Sequence, residues 1–223
     1  MNGPASHEQI RRWFASPRAA RKYALALLGT ATDRRERRCL AEALAPVPPG
    51  ARVLDLACGT GRLLPVLAGL GYRVFAADSS APMIARAREY ARSEGLAMEP
   101  DDFRLADALE TGYPDDAFDA VVCNRLFHHF TDPAVRQRAL RELRRICTGR
   151  SVVSFFRILA LDAITHSLKH WLRQRPMTDR IPIRLKTFEK DIAAAGLVLK
   201  AAIGTRPLIS KQWYVVLERG PGP

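Results

Sequence analysis

A predicted strand that runs directly into a glycine-rich turn, residues 52–61, constrains the fold of this chain more than any other segment. A ligand can lie against the backbone where a strand passes into a helix only if no β-carbon stands in its way, and Gly59 and Gly61 remove that obstacle. A glycine turn alone is common in α/β proteins. This one follows a predicted strand and precedes a predicted helix, which is the setting that a nucleotide-binding turn requires.

Strand and helix patterns alternate along the chain after residue 50. The candidate strands are 52–57, 73–77, 103–106, 118–123 and 151–157. The candidate helices between them are 61–70, 82–93 and 133–146. The last of these helices has a clear start, with Asp132 as N-cap and Pro133 at the first helical position. Alternation of this length predicts an α/β fold with a doubly wound, mostly parallel sheet.

The first 50 residues have a helical pattern instead. Thr32-Asp33 is a candidate cap for a helix that runs through Leu44, and a stretch rich in Pro and Gly over 46–50 then marks a boundary. We therefore expect an N-terminal helical cap over 1–50.

The last third of the chain departs from the alternating pattern. An amphipathic helix is predicted over 158–173. Thr187 is a candidate cap for another helix, which Gly196 ends. The segments 198–203 and 213–217 then predict two strands with a short connection, a spacing that permits an antiparallel pair at the edge of the sheet.

An acidic residue stands where a ribose-binding carboxylate is expected. Asp78 ends the second predicted strand and follows Gly59 by 19 residues, close to the roughly 20 that separate the glycine turn from the ribose-binding acid in dinucleotide folds. A carboxylate at this place accepts hydrogen bonds from both ribose hydroxyls. The competing explanation is a surface Asp that caps the next helix, but Ser79 or Ser80 is better placed for capping.

The residues around the turn argue against a pyrophosphate ligand. Leu64 occupies the position of the third glycine of a dinucleotide fingerprint, and no Lys-Ser/Thr pair follows the turn as in a P-loop. Asp55 precedes the turn, where a carboxylate repels a pyrophosphate and suits an ammonium group.

These motifs together resemble the class I S-adenosylmethionine (SAM)-dependent methyltransferases, of the type that includes ubiquinone and menaquinone biosynthesis enzymes (methyltransferase type 11). The resemblance covers 51–157 well and the end of the chain more loosely. It rests on the runs Asp-Leu-Ala-Cys-Gly-Thr-Gly over 55–61, Ala-Asp-Ala over 106–108 and Phe-Asp-Ala-Val-Val-Cys-Asn over 118–124, with Asp78 between them. It implies a Rossmann-like, seven-stranded sheet with an antiparallel last strand, a SAM-binding domain over 51–223, and methyl transfer that yields S-adenosylhomocysteine (SAH).

The resemblance also assigns cofactor contacts. The methionine part and ribose of SAM are expected beside the turn, and the adenine beside the residues that follow the second and third strands. The sulfonium is expected after the fourth strand, and Tyr23 or Arg18 of the N-terminal helices is expected to close over the methionine carboxylate. In chain order, the expected cofactor-binding residues are Tyr23, Asp55, Ala57, Gly59, Thr60, Gly61, Asp78, Ser79, Met83, Asp107, Ala108, Asn124 and Leu126.

Two stretches depart from the family pattern. Members often have Pro-Gly-Gly before the fifth strand, where this chain has Thr148-Gly149-Arg150. The stretch 158–186 matches no motif that identifies a substrate, although the family usually builds its acceptor pocket there. We expect a substrate lid at about 158–186, and the acceptor stays open: a phenol or quinol oxygen, an amine nitrogen or a ring carbon.

Two adjacent histidines follow the fourth predicted strand, near the expected position of the methyl group. His128 or His129 is a candidate general base for an acceptor that must lose a proton. The alternative is that both histidines pack locally and hold the loop, and the resemblance favours it because the family places His-His here across different acceptors. A second pair, His166 and His170, lies one helical turn apart and is more typical of a solvated face than of a metal site.

The charge distribution leaves the partner open. The formal net charge is +12, and by segment it is +5 over 1–50, zero over 51–150 and +7 over 151–223. Basic flanks of this kind suit nucleic acid, an anionic membrane surface or an anionic substrate, but an Arg-rich composition also arises from the genome alone. A small-molecule acceptor is the leading interpretation. The alternatives are an RNA or protein methyltransferase, and a SAM-binding regulator or inactive scaffold.

Cysteine usage and hydropathy bear on the compartment. The four cysteines have neither CxxC spacing nor zinc-ligand spacing with histidine, so we expect reduced thiols, no disulfides and no metal. No apolar run approaches the roughly 20 residues of a membrane helix, and the apolar stretch 23–29 is too short for a signal peptide. The expected compartment is the cytoplasm, and the oligomeric state stays open.

Overall fold

A seven-stranded sheet forms the centre of the protein in a computed structural model, which describes residues 7–16, 27–158, 182–206 and 209–221. The strand order is β3-β2-β1-β4-β5-β7-β6. Strands β1 to β5 pair in parallel, whereas β7 is antiparallel to both of its neighbours. The predicted doubly wound, mostly parallel sheet with an antiparallel last strand is confirmed.

The strands lie close to their predicted positions. They are β1 Arg52–Leu56, β2 Arg73–Asp78, β3 Phe103–Leu105, β4 Phe118–Cys123, β5 Cys147–Phe156, β6 Leu197–Gly204 and β7 Gln212–Arg219. The described helices are α1 His7–Phe14, α2 Ala31–Leu44, α3 Leu64–Gly69, α4 Ala81–Ser93, α5 Pro133–Ile146 and α6 Leu185–Ala194. Short 3-10 turns cover Pro100–Asp102 and Phe127–His129.

Two predicted helix starts are correct and two are wrong. Asp132 caps α5 by accepting from the Ala134 N–H, and Ser80 caps α4 by accepting from the Met83 N–H. Helix α2 begins earlier than predicted, because the Thr30 hydroxyl accepts from the Asp33 N–H. Helix α6 begins at Leu185, so Thr187 lies inside its first turn and caps nothing.

The sheet is covered on both faces. On one face α2, α3 and α4 contribute to a core that includes Leu40, Leu44 and Leu64. On the other face α5 and α6 pack with the segment after β4 around Phe127 and Phe188. The glycine turn lies at the edge where the parallel strands end, which is where ligands bind in such sheets.

All four cysteines are free and buried. Among the described residues, no helix has the length and apolar character needed to cross a bilayer. Three predicted features lie outside the described residues: the alternatives Tyr23 and Arg18, the central part of the 158–186 segment, and the pair His166 and His170. The division at residue 50 and the lid stay predictions.

Candidate active site

The turn after β1 has an unusual backbone. Ala57, Gly59 and Gly61 all have positive φ angles, of 60°, 56° and 82°. This left-handed region is strained for alanine and free for glycine, and such strain gathers at functional sites. At Gly61 the missing side chain makes room for a helix and not for a ligand, since an added β-carbon would lie 2.9 Å from a Leu64 methyl group and 3.1 Å from Ala87.

Asp55 is a buried carboxylate of β1. It is the fourth residue of β1 and only 1 % exposed, and neither of its side-chain oxygens accepts a hydrogen bond from any described residue. Burial raises the pKa of Asp55 to about 7; the Arg62 charge opposes this rise and the Asp78 charge adds to it. A buried acid that no protein donor satisfies is costly, so this position fits a cationic or hydrogen-bonding ligand group.

Asp78 shapes the turn from the neighbouring strand. Its carboxylate accepts from the Gly59 N–H and from the Ser80 N–H, both at 2.9 Å. Burial raises the pKa of Asp78 to about 6, against the effect of these backbone hydrogen bonds. Its position at the end of β2 places it beside Gly59, as the spacing between the two residues predicts.

The other residues predicted to flank the ribose and adenine differ in accessibility. Thr60 is buried within the turn, Met83 is buried at the start of α4, and Ser79 is exposed. Beyond β3, Asp107 accepts from the Leu109 N–H at 3.0 Å, and Ala108 is buried. A cavity of about 540 Å³ lies beside Asp107, lined by Ala106 among others.

The end of β4 is held by a buried network. The Asn124 side chain accepts from the Tyr214 hydroxyl at 2.9 Å and donates to Glu36 at 3.3 Å. Arg125 donates to Glu36 at 2.7 Å and to Gln212 at 3.0 Å. The side-chain amide of Asn124 is therefore engaged with protein groups. A ligand at this place would contact the backbone after β4 and not that amide.

His128 and His129 are buried, with 1 % and 4 % exposure. The His128 ring stacks on Phe156 with centroids 4.1 Å apart and an angle of 4° between the planes, and the two histidine rings are 4.2 Å apart. Leu126 precedes them and is half-buried. Such packing is expected if the two histidines pack locally and hold the loop.

The sequence pattern marks Asp33 only as part of a candidate helix cap, and it does not single out Glu36 on α2. Both are buried, together with Leu40 and Leu44 of the same helix. The spacing of these four residues places the two acids in line with the apolar stripe of an amphipathic helix. Acids within such a stripe need buried partners, and that signal was available in the sequence.

Comparisons with known proteins point to a methyltransferase domain. Residues 53–149 match the family model described as a methyltransferase domain. The demethylmenaquinone methyltransferase of Thermus thermophilus is 42 % identical over 135 residues, which are 58 % of this chain and 58 % of that protein. A ubiquinone biosynthesis O-methyltransferase of Rhizobium etli is 28 % identical over 187 residues, 77 % of this chain and 74 % of that protein.

A solved structure shows the same fold. Magnesium protoporphyrin IX methyltransferase from Synechocystis PCC 6803, solved with bound SAH, superposes with a TM-score of 0.76 at 18 % identity and covers 96 % of this chain and 100 % of that one.

The seven-stranded sheet and the strained turn beside two acids define a Rossmann-like methyltransferase fold. The matched methyltransferase domain over residues 53–149 and the similarity to a demethylmenaquinone methyltransferase support a class I SAM-dependent methyltransferase, a family whose cofactor is SAM. The residues present fit this cofactor, because the Asp55 carboxylate, which accepts no hydrogen bond from the described part of the chain, lies before a left-handed turn.

Proposed function

We propose that this chain is an enzyme that transfers a methyl group from SAM to a small-molecule acceptor. The observation that carries the proposal is the buried Asp55 carboxylate, which no described residue satisfies, next to the left-handed turn. SAM, when bound, supplies an activated methyl group on a sulfonium. The protein then has to orient the acceptor in line with that group and exclude water.

In this proposal each end of the cofactor has its own protein groups. Asp55 pairs with the ammonium of the methionine part, and the turn Ala57–Gly61 lies along it. Asp78 accepts from the ribose hydroxyls while it keeps the Gly59 N–H in place.

The adenine is surrounded by Ser79, Met83, Asp107 and Ala108. The backbone at Asn124 and Leu126 borders the sulfonium. Tyr23 closes over the carboxylate.

The histidines have a positioning role in this proposal. His128 is stacked on Phe156 and buried, so it holds the segment after β4 in shape. His129 is the better candidate for a general base, and only for acceptors that must lose a proton.

The acceptor class that we favour is a phenol or quinol. Support comes from two relatives, which are named as a demethylmenaquinone methyltransferase and a ubiquinone biosynthesis O-methyltransferase. The segment 157–186, with seven basic and two acidic residues, would form a lid that suits an anionic or membrane-presented acceptor. Nucleic acid is the competing partner for these charges.

The direct test is SAH binding followed by turnover. SAH at a hundred times its Kd should stabilise the folded chain by about 2.7 kcal/mol, and for a chain of this size that raises the Tm by roughly 5–10 °C. With methyl-labelled SAM, we expect label to appear in a reduced quinone and not in bulk RNA. Label in RNA alone would replace the small-molecule proposal, and SAH binding without any transfer would indicate a regulator or scaffold.

The ribose assignment predicts unequal effects of two substitutions. Asp78→Ala should weaken SAM binding by about 1–3 kcal/mol, because the ribose hydroxyls and the Gly59 N–H both lose their acceptor. Asp107→Ala should cost less, because water can replace its single contact with the adenine amino group. Titration calorimetry measures both. Equal SAM affinity in wild type and Asp78→Ala would mean that another residue binds the ribose.

A further inference from the structure

A cluster of buried ionic side chains joins α2 to the edge of the sheet where the cofactor turn lies. Glu36 of α2 is fully buried and contacts two arginines, Arg62 after the glycine turn and Arg125 after β4. Asp33, one turn earlier in α2, contacts Arg62 as well. A single carboxylate at position 36 therefore bridges two turns that are more than 60 residues apart in the chain.

Each oxygen of Glu36 has its own partners. Oε1 accepts from the Arg125 guanidinium at 2.7 Å. Oε2 accepts from Arg62, and from the Asn124 amide at 3.3 Å. Hydrogen bonds to a charged group in a buried site are among the stronger ones in proteins, so this carboxylate restrains both turns at once.

Arg125 needs such restraint because its backbone is strained. Its φ angle is 61°, in the left-handed region that ordinary residues avoid. Three groups hold it there: its N–H donates to the Ser154 hydroxyl at 2.6 Å, and its guanidinium donates to Glu36 and to Gln212. A strained residue persists where surrounding contacts over-determine it, and Glu36 supplies the charged contact.

The charge of Glu36 matters for a cationic ligand. Without it, the guanidinium groups of Arg62 and Arg125 would be less well neutralised at the edge of the sheet that binds the sulfonium and ammonium of SAM. Arg62 is close enough for its charge to affect the titration of Asp55. In a poorly solvated site an uncompensated positive charge disfavours a second one.

We propose that Glu36 is a positioning residue for the cofactor: it fixes the turns after β1 and β4 relative to each other and neutralises the two arginines beside them. This inference rests on the proposed function, since it assumes that SAM binds at this edge. It assigns to α2, which lies outside the matched methyltransferase domain of 53–149, a part in the cofactor site.

The test compares SAM and SAH binding to the whole chain and to Glu36→Gln by titration calorimetry. We expect SAH to bind about tenfold more weakly to the variant, because the turns are no longer held. SAM should lose several-fold more than SAH, since SAM carries the sulfonium charge and SAH does not. Glu36→Asp, which keeps the charge on a shorter side chain, should recover most of the SAM-to-SAH ratio.

A matched control separates positioning from stability. Glu142 of α5 is also a buried glutamate paired with an arginine, Arg145, but its other partner is Thr111 and not a residue of the turns after β1 and β4. Glu142→Gln should lower the ligand-free Tm and leave both affinities within twofold of wild type. If Glu36→Gln behaves in the same way, the proposal is overturned. Failure of wild type to bind SAM or SAH would instead refute the proposed function.

A second variant keeps the proposal testable if Glu36→Gln does not fold. Arg125→Gly removes the guanidinium that Glu36 holds, while glycine adopts the left-handed backbone without strain. We expect weaker SAH binding together with a lower Tm, because the buried Glu36 carboxylate loses one of its two arginine partners. Unchanged SAH binding in a folded Arg125→Gly chain would contradict a positioning role of the Glu36–Arg125 contact.

Discussion

Replacing Gly149 with alanine is expected to destabilise the chain by about 3 kcal/mol or more. An added β-carbon would lie 2.4 Å from the backbone oxygen of Asp119, far inside van der Waals contact. The β4–β5 register shifts at this point, with Phe118 opposite Cys147 but Ala120 opposite Arg150. Both strands are inside the sheet, so the clash can be relieved only by moving the central backbone.

The measurement is thermal unfolding with a glycine control. For a chain of this size we expect the Tm of Gly149→Ala to fall by about 6–12 °C. Gly69 is helical and has no atom within 4 Å of an added β-carbon, so Gly69→Ala should stabilise the chain by about 0.4–1 kcal/mol. A Gly149→Ala chain as stable as wild type would mean that the β4–β5 pairing adapts without cost.

The register shift is a β-bulge in β5 that the sequence pattern does not predict. The strand pattern predicts a fifth strand over 151–157, but β5 begins at Cys147. Thr148 and Gly149 belong to the strand as its bulge, and no hydrophobic alternation marks them. The Thr148-Gly149-Arg150 departure from the family pattern is therefore part of the sheet and not only a changed turn.

The same limit applies to the site. Asp55, Gly59 and Asp78 lie within one strand-turn-strand unit, where spacing alone predicts neighbours. The contact between Glu36 and Arg125 spans 89 residues, and no local pattern relates residues so far apart. The strand order is a similar case: β7 lies between β5 and β6, whereas the sequence predicts only that the last two strands pair.

The titration of Asp55 predicts how the stability of the ligand-free chain depends on pH. Burial raises the pKa of Asp55 from 3.8 to about 7. Between these values the folded chain keeps a proton that the unfolded chain has released, so the free energy of unfolding falls as pH rises from about 4 to about 7. The slope for one group is at most about 1.4 kcal/mol per pH unit. Burial also raises the pKa of Asp78, so Asp78 changes the free energy of unfolding with pH in the same direction. Urea unfolding of wild type and of Asp55→Asn over this pH range therefore separates the contribution of Asp55 from that of Asp78.

Cofactor affinity should depend on pH in the opposite direction. Only the ionised Asp55 pairs with the ammonium group of SAM, so the affinity of wild type should rise about tenfold per pH unit from pH 5 to about 7. It should level off there and fall above about pH 8, where an α-amino group loses its proton. Asp55→Asn has no such charge, and we expect it to bind SAM about a hundredfold more weakly at pH 7.5 with little change between pH 5 and 7. Titration calorimetry over this pH range tests the assignment. Asp55 does not bind the ammonium group if the wild-type affinity stays flat from pH 5 to 7, or if Asp55→Asn binds SAM as tightly as wild type. Either result would remove the observation on which the proposed function rests.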